Sequence, residues 1–413
     1  MLMNTSAIPH APIAPRWRLA VVSAVLGWIL DAFDFFVIVF LFDVLAAHFG
    51  VPKRQIVITL TFTLAARPVG ALIFGSLADR FGRRIPLIFC VAYFSLASLA
   101  SVFAPSYFWF AVLRTLYGVG MGGYWGIASS YAMESTPPRR RGMFSGILQT
   151  GYSAGYLLAA LAMFFLAPRL GWRSPFFASQ AVAVVVIVLT TFSPESHAWQ
   201  QQARVTVSRM FVLIAREWKV FLYLLAAMTG MICLSHGTQD LYPDFLRSMP
   251  AIASRQIFGM GVVFAIPILY NIGSIIASPM FGEVSERIGR RGSVLCALAL
   301  CLMAMHWWAF GTSVAALAIG AFFMQAGVQG ALGIVPAHLT ELSPPEIRTL
   351  FPGFVYQLGV LCASPGVLLE YRLRSRVGYS WALTIFELGV IFTMALLFYF
   401  GPERRGRSFL HEA

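Results

Sequence analysis

The chain has 413 residues, of which 59% are hydrophobic and only 11% charged, with a mean hydropathy of +0.76. A soluble globular domain carries about 25% charged residues, so this composition excludes one and describes a membrane protein. The net charge of +13 would suit a nucleic-acid binder, but its distribution along the chain excludes that as well.

Residues up to Pro15 are polar and proline-rich, with no small-residue cleavage site after them, so no removable signal peptide is expected. Twelve apolar stretches follow, each near the roughly 20 residues a helix needs to cross the hydrocarbon layer. In the first half they run 19–42, 55–77, 86–104, 107–133, 143–167 and 173–192; in the second, 219–245, 256–281, 293–311, 313–338, 350–370 and 380–400. The polar segment 193–218, with Gln200, Gln201, Gln202, Arg204, Arg209 and Arg216, reads as a linker. The expected architecture is therefore an all-α membrane protein of twelve transmembrane helices in two six-helix bundles, 1–192 and 219–413, joined by that linker.

On this layout, 19 of the 30 Lys and Arg fall on the face holding both termini, 9 on the opposite face and 2 inside helices. The positive-inside rule then makes both termini cytoplasmic, in an inner (plasma) membrane. Runs such as Arg139, Arg140 and Arg141 are topology and lipid-headgroup signals, and no nucleic-acid partner is expected. Cys90, Cys233, Cys296, Cys301 and Cys362 all lie in apolar segments without CxxC spacing, so neither a disulfide framework nor a metal site is supported. A monomer is expected.

The two halves repeat each other at an offset of 207. GSLADRFGRR from Gly75 to Arg84 returns as GEVSERIGRR from Gly282 to Arg291, with Glu286 in place of Asp79. ESTPPRRR from Glu134 is echoed by ELSPPEIR from Glu341, which aligns Arg141 with Arg348. In a membrane protein, such repetition points to a transporter whose site lies between equivalent halves. Pro194-Glu195 and Pro402-Glu403 form another near-repeat, one residue off that offset.

Two enzyme-like patterns dissolve in context. Gly118-x-Gly120-x-x-Gly123 fits a dinucleotide fingerprint and Gly151-Tyr152-Ser153-Ala154-Gly155 a nucleophile elbow, but both need a preceding strand and a turn. Each lies inside a continuous apolar stretch, where small residues at helical spacing serve close packing. No HExxH or Walker-type loop occurs. Neither an enzymatic activity nor a cofactor is expected.

Ionisable residues inside the membrane cost about 2.5–3.5 kcal/mol each and are functional candidates by default. They are Asp31 and Asp34 in the first stretch, Arg67 in the second, Arg114 in the fourth, and His236 and Asp240 in the seventh, with His306 and Glu387 as lesser ones. Asp31 and Asp34 share a helix face, as do His236 and Asp240. Asp34 and Arg114 agree in depth within about a turn, so a structural ion pair between them is one expectation. Subtracting 207 from Asp240 gives position 33, beside Asp34, which puts the two polar clusters at matching places in the repeat.

The repeated G-x-x-x-D-R-x-G-R-R loop, together with the R-x-x-x-G-x-G-x-G run from Arg114 to Gly122, resembles the major facilitator superfamily over essentially the whole chain. That resemblance implies two bundles rocking about a central site. Asp79, Arg80, Arg83, Glu134 and Arg141, with Glu286, Arg287, Arg290, Glu341 and Arg348, would then form charged gates whose contacts break when the cytoplasmic side opens. A narrower resemblance covers Ser235, His236, Thr238, Gln239 and Asp240, which are similar to the N-x-x-[ST]-H-x-[ST]-Q-D-x-x-x-T signature of lactate permeases in the sialate:proton symporter family. Ile232 and Asp244 depart from it. Asp31-Ala32-Phe33-Asp34 and Arg67-Pro68-Val69-Gly70 resemble the same family.

That resemblance implies carboxylate recognition by Arg67 and proton and substrate coupling by His236 and Asp240, while the shared face of Asp31 and Asp34, at the depth of Arg114, makes those three further coupling candidates. Residue chemistry agrees. Arg stays charged and offers a planar fork to a carboxylate, whereas His exchanges protons near neutral pH. Gln239, Tyr124, Gln149, Tyr270, Asn271, Tyr356 and Gln357 are candidates to line the cavity or to bond helices together. The expected function is symport of a small monocarboxylate such as lactate or pyruvate with a proton. A bulkier sialic or aromatic acid, or a receptor that binds without transporting, are the alternatives.

Overall fold

The computed structural model describes residues 17–257 and 259–409. The polar stretch before Pro15 lies outside them. The first half contributes α1 (Trp17–Phe40), α2 (Lys53–Phe81), α3 (Arg84–Ser101), α4 (Tyr107–Ser135), α5 (Arg141–Phe165) and α6 (Ser174–Phe192). The second contributes α7 (Trp218–Gln239), α8 (Val262–Phe310), α9 (Val314–Gly333), α10 (Leu350–Ala363), α11 (Gly366–Val377) and α12 (Tyr379–Phe400).

Ten of the described helical segments are long and apolar enough to cross a membrane. The twelve crossings of two six-helix bundles follow from two details. The 49-residue α8 folds back on itself at Gly289, whose φ of 89° is open to glycine and strained for other residues, so it supplies two crossings. Gly82 makes the same turn in the first half, with φ 102° between α2 and α3. The glycine-rich α4 is 29 residues long, outside the ten, and supplies the remaining crossing.

Several crossings are broken where the sequence suggested continuous stretches. The seventh stops at Gln239 and resumes as a short helix, Tyr242–Arg247. The eleventh is interrupted at Ser364-Pro365, between α10 and α11, where Pro lacks the N–H that would continue the ladder. A two-stranded turn, Gln256–Ile257 with Met260–Gly261, precedes α8, which starts later than the expected 256. The linker is not bare coil: it contains His197–Gln200 and the helix Val207–Arg216.

Within the first bundle α1 packs on α5 and α6, and α2 on α4; in the second, α7 packs on α10 and α12, and the arms of α8 on α9. The bundles meet along α2 and α4 with α10, and along α5 with α8 and α9. Glycines set the closest approaches. A Cβ at Gly70, Gly118 or Gly122 would press into the backbone of Val119, Thr63 or Arg67 respectively, and one at Gly126 would lie 2.9 Å from the Cα of Gly353 across the seam. Without a hydrophobic drive between helices in lipid, such backbone proximity supplies the packing energy. Gly118→Ala should therefore cost about 1–3 kcal/mol through overpacking, whereas Gly389→Ala on α12, with nothing within 4 Å, should be neutral or slightly stabilising. Thermal unfolding of the two purified variants checks this, and equal midpoints would refute it.

Candidate functional site

The repeated loops build one charged seam at the face where α1 begins and α12 ends. Arg83, at the α2–α3 turn, donates through Nη1 to Asp79 at 2.8 Å and grips Glu134 with Nε and Nη2 at 3.0 and 2.8 Å. Arg290 repeats this with Glu286 at 3.0 Å and Glu341 at 3.0 and 2.9 Å. Both arginine side chains are sealed from solvent. Burial pulls the Arg83 guanidinium down, but Glu134 and Asp79 outweigh that, so it is held above its ordinary range and stays charged.

From these two nodes the contacts run across the bundles. Asp79 accepts from the backbone N–H groups of Thr349 and Leu350 at 3.0 and 2.8 Å, capping the positive end of α10 in the other half. Glu286 accepts from the N–H of Gly142 at the start of α5. Arg141 reaches Glu341 at 3.2 Å, and Arg348 reaches Glu134 at 3.5 Å. Burial holds Arg348 below its ordinary value, against the pull of Glu134. Polar contacts continue the closure inward: Ser130 with Thr349 at 2.8 Å, Ser145 to the Gly333 carbonyl at 2.6 Å, and Gln357 to the Gly122 carbonyl at 3.1 Å. Between Gly122 and Ser130 along α4, Trp125 stacks on Tyr356, ring centroids 4.0 Å apart.

Arg80 and Arg287 stand outside this network. Both are exposed; Arg80 lies over Phe81, and the Arg287 carbonyl accepts from Arg405. Glu195 and Glu403 belong to it instead. Glu195 accepts from the N–H of Arg83 at 2.9 Å and Glu403 from that of Arg291 at 2.9 Å, so the Pro-Glu near-repeat was the signal for these two.

The deeper charges lie toward the opposite side. Arg67 sits midway along α2, is 6% exposed, and its Nε has no partner among the described residues. It is in electrostatic range of Asp31, His236, Tyr152 and Tyr356, and so stands between the halves. His236 Nδ1 lies 3.0 Å from Asp240 Oδ2 at the end of α7, and these side chains remain 40% and 41% exposed. By helix rise, His236 lies about 27 Å along α7 and Asp31 about 21 Å along α1, level within about one turn.

The expected Asp34–Arg114 ion pair is not formed. Arg114 lies over the Tyr117 ring at 3.9 Å, and its three guanidinium nitrogens have no hydrogen-bond partner among the described residues. Asp31 and Asp34 are fully buried, with both carboxylate oxygens unpartnered among the described residues, Asp34 beside Ser179 and Ser98. Helix packing explains the change: the Tyr117 hydroxyl is tied to the Asp31 carbonyl at 2.9 Å, which sets the ring against Arg114.

The polar candidates separate. Tyr124 is spent on packing, donating to the Ala24 carbonyl at 2.8 Å. Asn271 donates to the Pro267 carbonyl at 2.9 Å and Gln239 to Ser235 at 2.9 Å. Gln149 accepts from the Trp125 indole at 3.4 Å. Two buried carboxyls that the sequence left minor or unmarked, Glu387 on α12 and Glu370 on α11, have no partner for any of their oxygens among the described residues, and Glu387 lies against Gly237 beside His236.

Two bundles joined at one face, with ionisable groups further along the helices that have no partner among the described residues, have the architecture of a membrane transporter. Residues 24–268 match the family described as Major Facilitator Superfamily, and residues 237–404 match the family Sugar (and other) transporter. The chain belongs to the major facilitator superfamily. It is 24% identical to the Sialic acid transporter NanX of Escherichia coli (strain K12), covering 97% of each chain. It is 29% identical to the Carboxylic acid transporter protein homolog of Saccharomyces cerevisiae, over 85% of this chain but 60% of that longer one. Its fold matches the solved proton:xylose symporter XylE with a TM-score of 0.72 at 16% identity, covering 96% of this chain and 98% of the other.

If the repeat makes Arg83 and Arg290 equivalent, Arg83→Lys and Arg290→Lys should lose similar stability. Lysine keeps the charge but cannot grip both oxygens of one glutamate while reaching a second acid, a loss of roughly 1–3 kcal/mol in each case. Chemical denaturation of the two variants tests the equivalence, and a cost confined to one of them would refute it.

Proposed function

We propose that the protein carries a small monocarboxylate, of the lactate or pyruvate kind, together with a proton by alternating access. One observation carries the reading: a buried guanidinium with an unsatisfied donor, Arg67, at the midpoint of the bundle, in electrostatic range of an exposed His236–Asp240 pair. A guanidinium donor left unsatisfied at that depth is costly, and a carboxylate offers the planar acceptor its fork matches. The named substrates of the relatives, a carboxylic acid and sialic acid, support an organic acid.

Charge arithmetic favours a co-transported proton. Moving a monovalent anion inward against 100 mV, interior negative, costs about 2.3 kcal/mol. One proton cancels that charge, and each unit of pH gradient adds about 1.4 kcal/mol of drive. The seam carries most of the basic loops and is read as the cytoplasmic face, so this state faces outward: closed at the seam, with His236 and Asp240 accessible from the other side.

A bulkier acid is the second reading. The aromatic groups around Arg67, namely Tyr152, Tyr356 and the stacked Trp125, favour it by offering flat apolar walls.

Uptake of labelled lactate into proteoliposomes, with and without an acidic exterior, should show accumulation that depends on the gradient, and unlabelled sialate or benzoate as competitors would rank the substrates. Binding without flux would sink the transport reading. Arg67→Lys should lower uptake at least about tenfold in folded protein, and His236→Ala should remove the response to the pH gradient. An unchanged pH profile would take His236 out of the coupling.

A further inference from the structure

The segment after α12 does not trail away from the seam. Glu403 caps the Arg291 N–H at 2.9 Å, and Arg405 donates to the Arg287 carbonyl at 2.6 Å, so its first part is fastened to the second bundle. The chain then turns at Gly406, where φ is 71°, and crosses to the first. There the Arg407 carbonyl accepts from Arg141 Nη1 at 3.0 Å. The Phe409 ring, 8% exposed, takes the guanidinium of Arg141 at 3.6 Å and that of Arg348 at 4.2 Å from its centroid.

Those are the two arginines that reach across the seam, and they lie in electrostatic range of each other as like charges. An aromatic face attracts cations through its quadrupole, most strongly where water is excluded. A single ring can therefore hold both forks toward Glu341 and Glu134 while offsetting their mutual repulsion. The repeat has no counterpart: in the register that pairs Glu195 with Glu403, position 409 corresponds to Gln201, which offers no ring.

We propose that Phe409 is a positioning residue of the seam, a clasp at the chain's end that must leave Arg141 and Arg348 before the terminal face can open. The inference rests on reading the seam as a gate.

Ser145, sealed beneath Gly333 at the seam, provides the reporter. Ser145→Cys is alkylated with a maleimide in purified protein, and modification at that one position is followed by peptide mass spectrometry, so the native cysteines do not interfere. With Phe409→Ala or Phe409→Leu added, labelling should become about tenfold faster, and Phe409→Tyr should restore the slow rate. Equal rates for the native tail and Phe409→Ala would overturn the clasp, as would a native-like rate for Phe409→Leu, since bulk without a ring would then suffice. If the cysteine under the native tail is never labelled unless the protein is denatured, the seam does not open at all, and the gate reading fails together with the clasp.

Discussion

The structure depends on two buried guanidiniums that each hold two carboxylates. Arg83 gathers Asp79 and Glu134, Arg290 gathers Glu286 and Glu341, and every one of those acids also contacts the opposite bundle. Ion pairs removed from water carry a desolvation cost that only full satisfaction of donors and acceptors offsets. Here satisfaction requires both bundles at once. The closed face is thus a property of the pair of bundles, with neither half able to complete its network alone.

The centre is built on the contrary principle. At the seam nearly every charged donor finds its acceptor, while around α1, α2 and α4 Asp31, Asp34, Arg67 and Arg114 all keep atoms without a partner among the described residues. Unsatisfied groups in a low-dielectric setting are a store of binding energy for an ion that completes them. Satisfied contacts fix where the bundles touch, and the unsatisfied groups lie apart from that contact. The glycine contacts of α4 with α2 bring the backbone at Gly122 against that of Arg67, so the packing that joins these helices also places the central cation.

Much of this was legible in the sequence because a repeat constrains two places at once. The 207-residue offset pairs Asp79 with Glu286 and Glu134 with Glu341, and the folded chain gives each pair the same work despite the change of acid length. The i to i+4 spacing of His236 and Asp240 likewise appears as a 3.0 Å contact. What stayed hidden depends on rotation about helix axes. Helical rise puts Arg114 level with Asp34, but nothing in the sequence says that its side chain turns onto Tyr117. Tyr124 reads as a cavity residue until Ala24 is seen to take its hydroxyl. Phe409 lies in a polar tail without periodicity, so only folding reveals which arginines it meets.

The complete burial of the seam's ion pairs has a consequence for ionic strength. Mobile ions screen charges in contact with solvent over about 8–10 Å, yet no counterion can approach Arg83 or Arg290, whose side chains show 0% exposure. The exposed Arg247–Asp244 pair on the far side, at 56% and 51%, is open to such screening. Added salt therefore reaches the exposed Arg247–Asp244 pair and not the buried Arg83 and Arg290 nodes, so these two regions answer differently to the same change of medium.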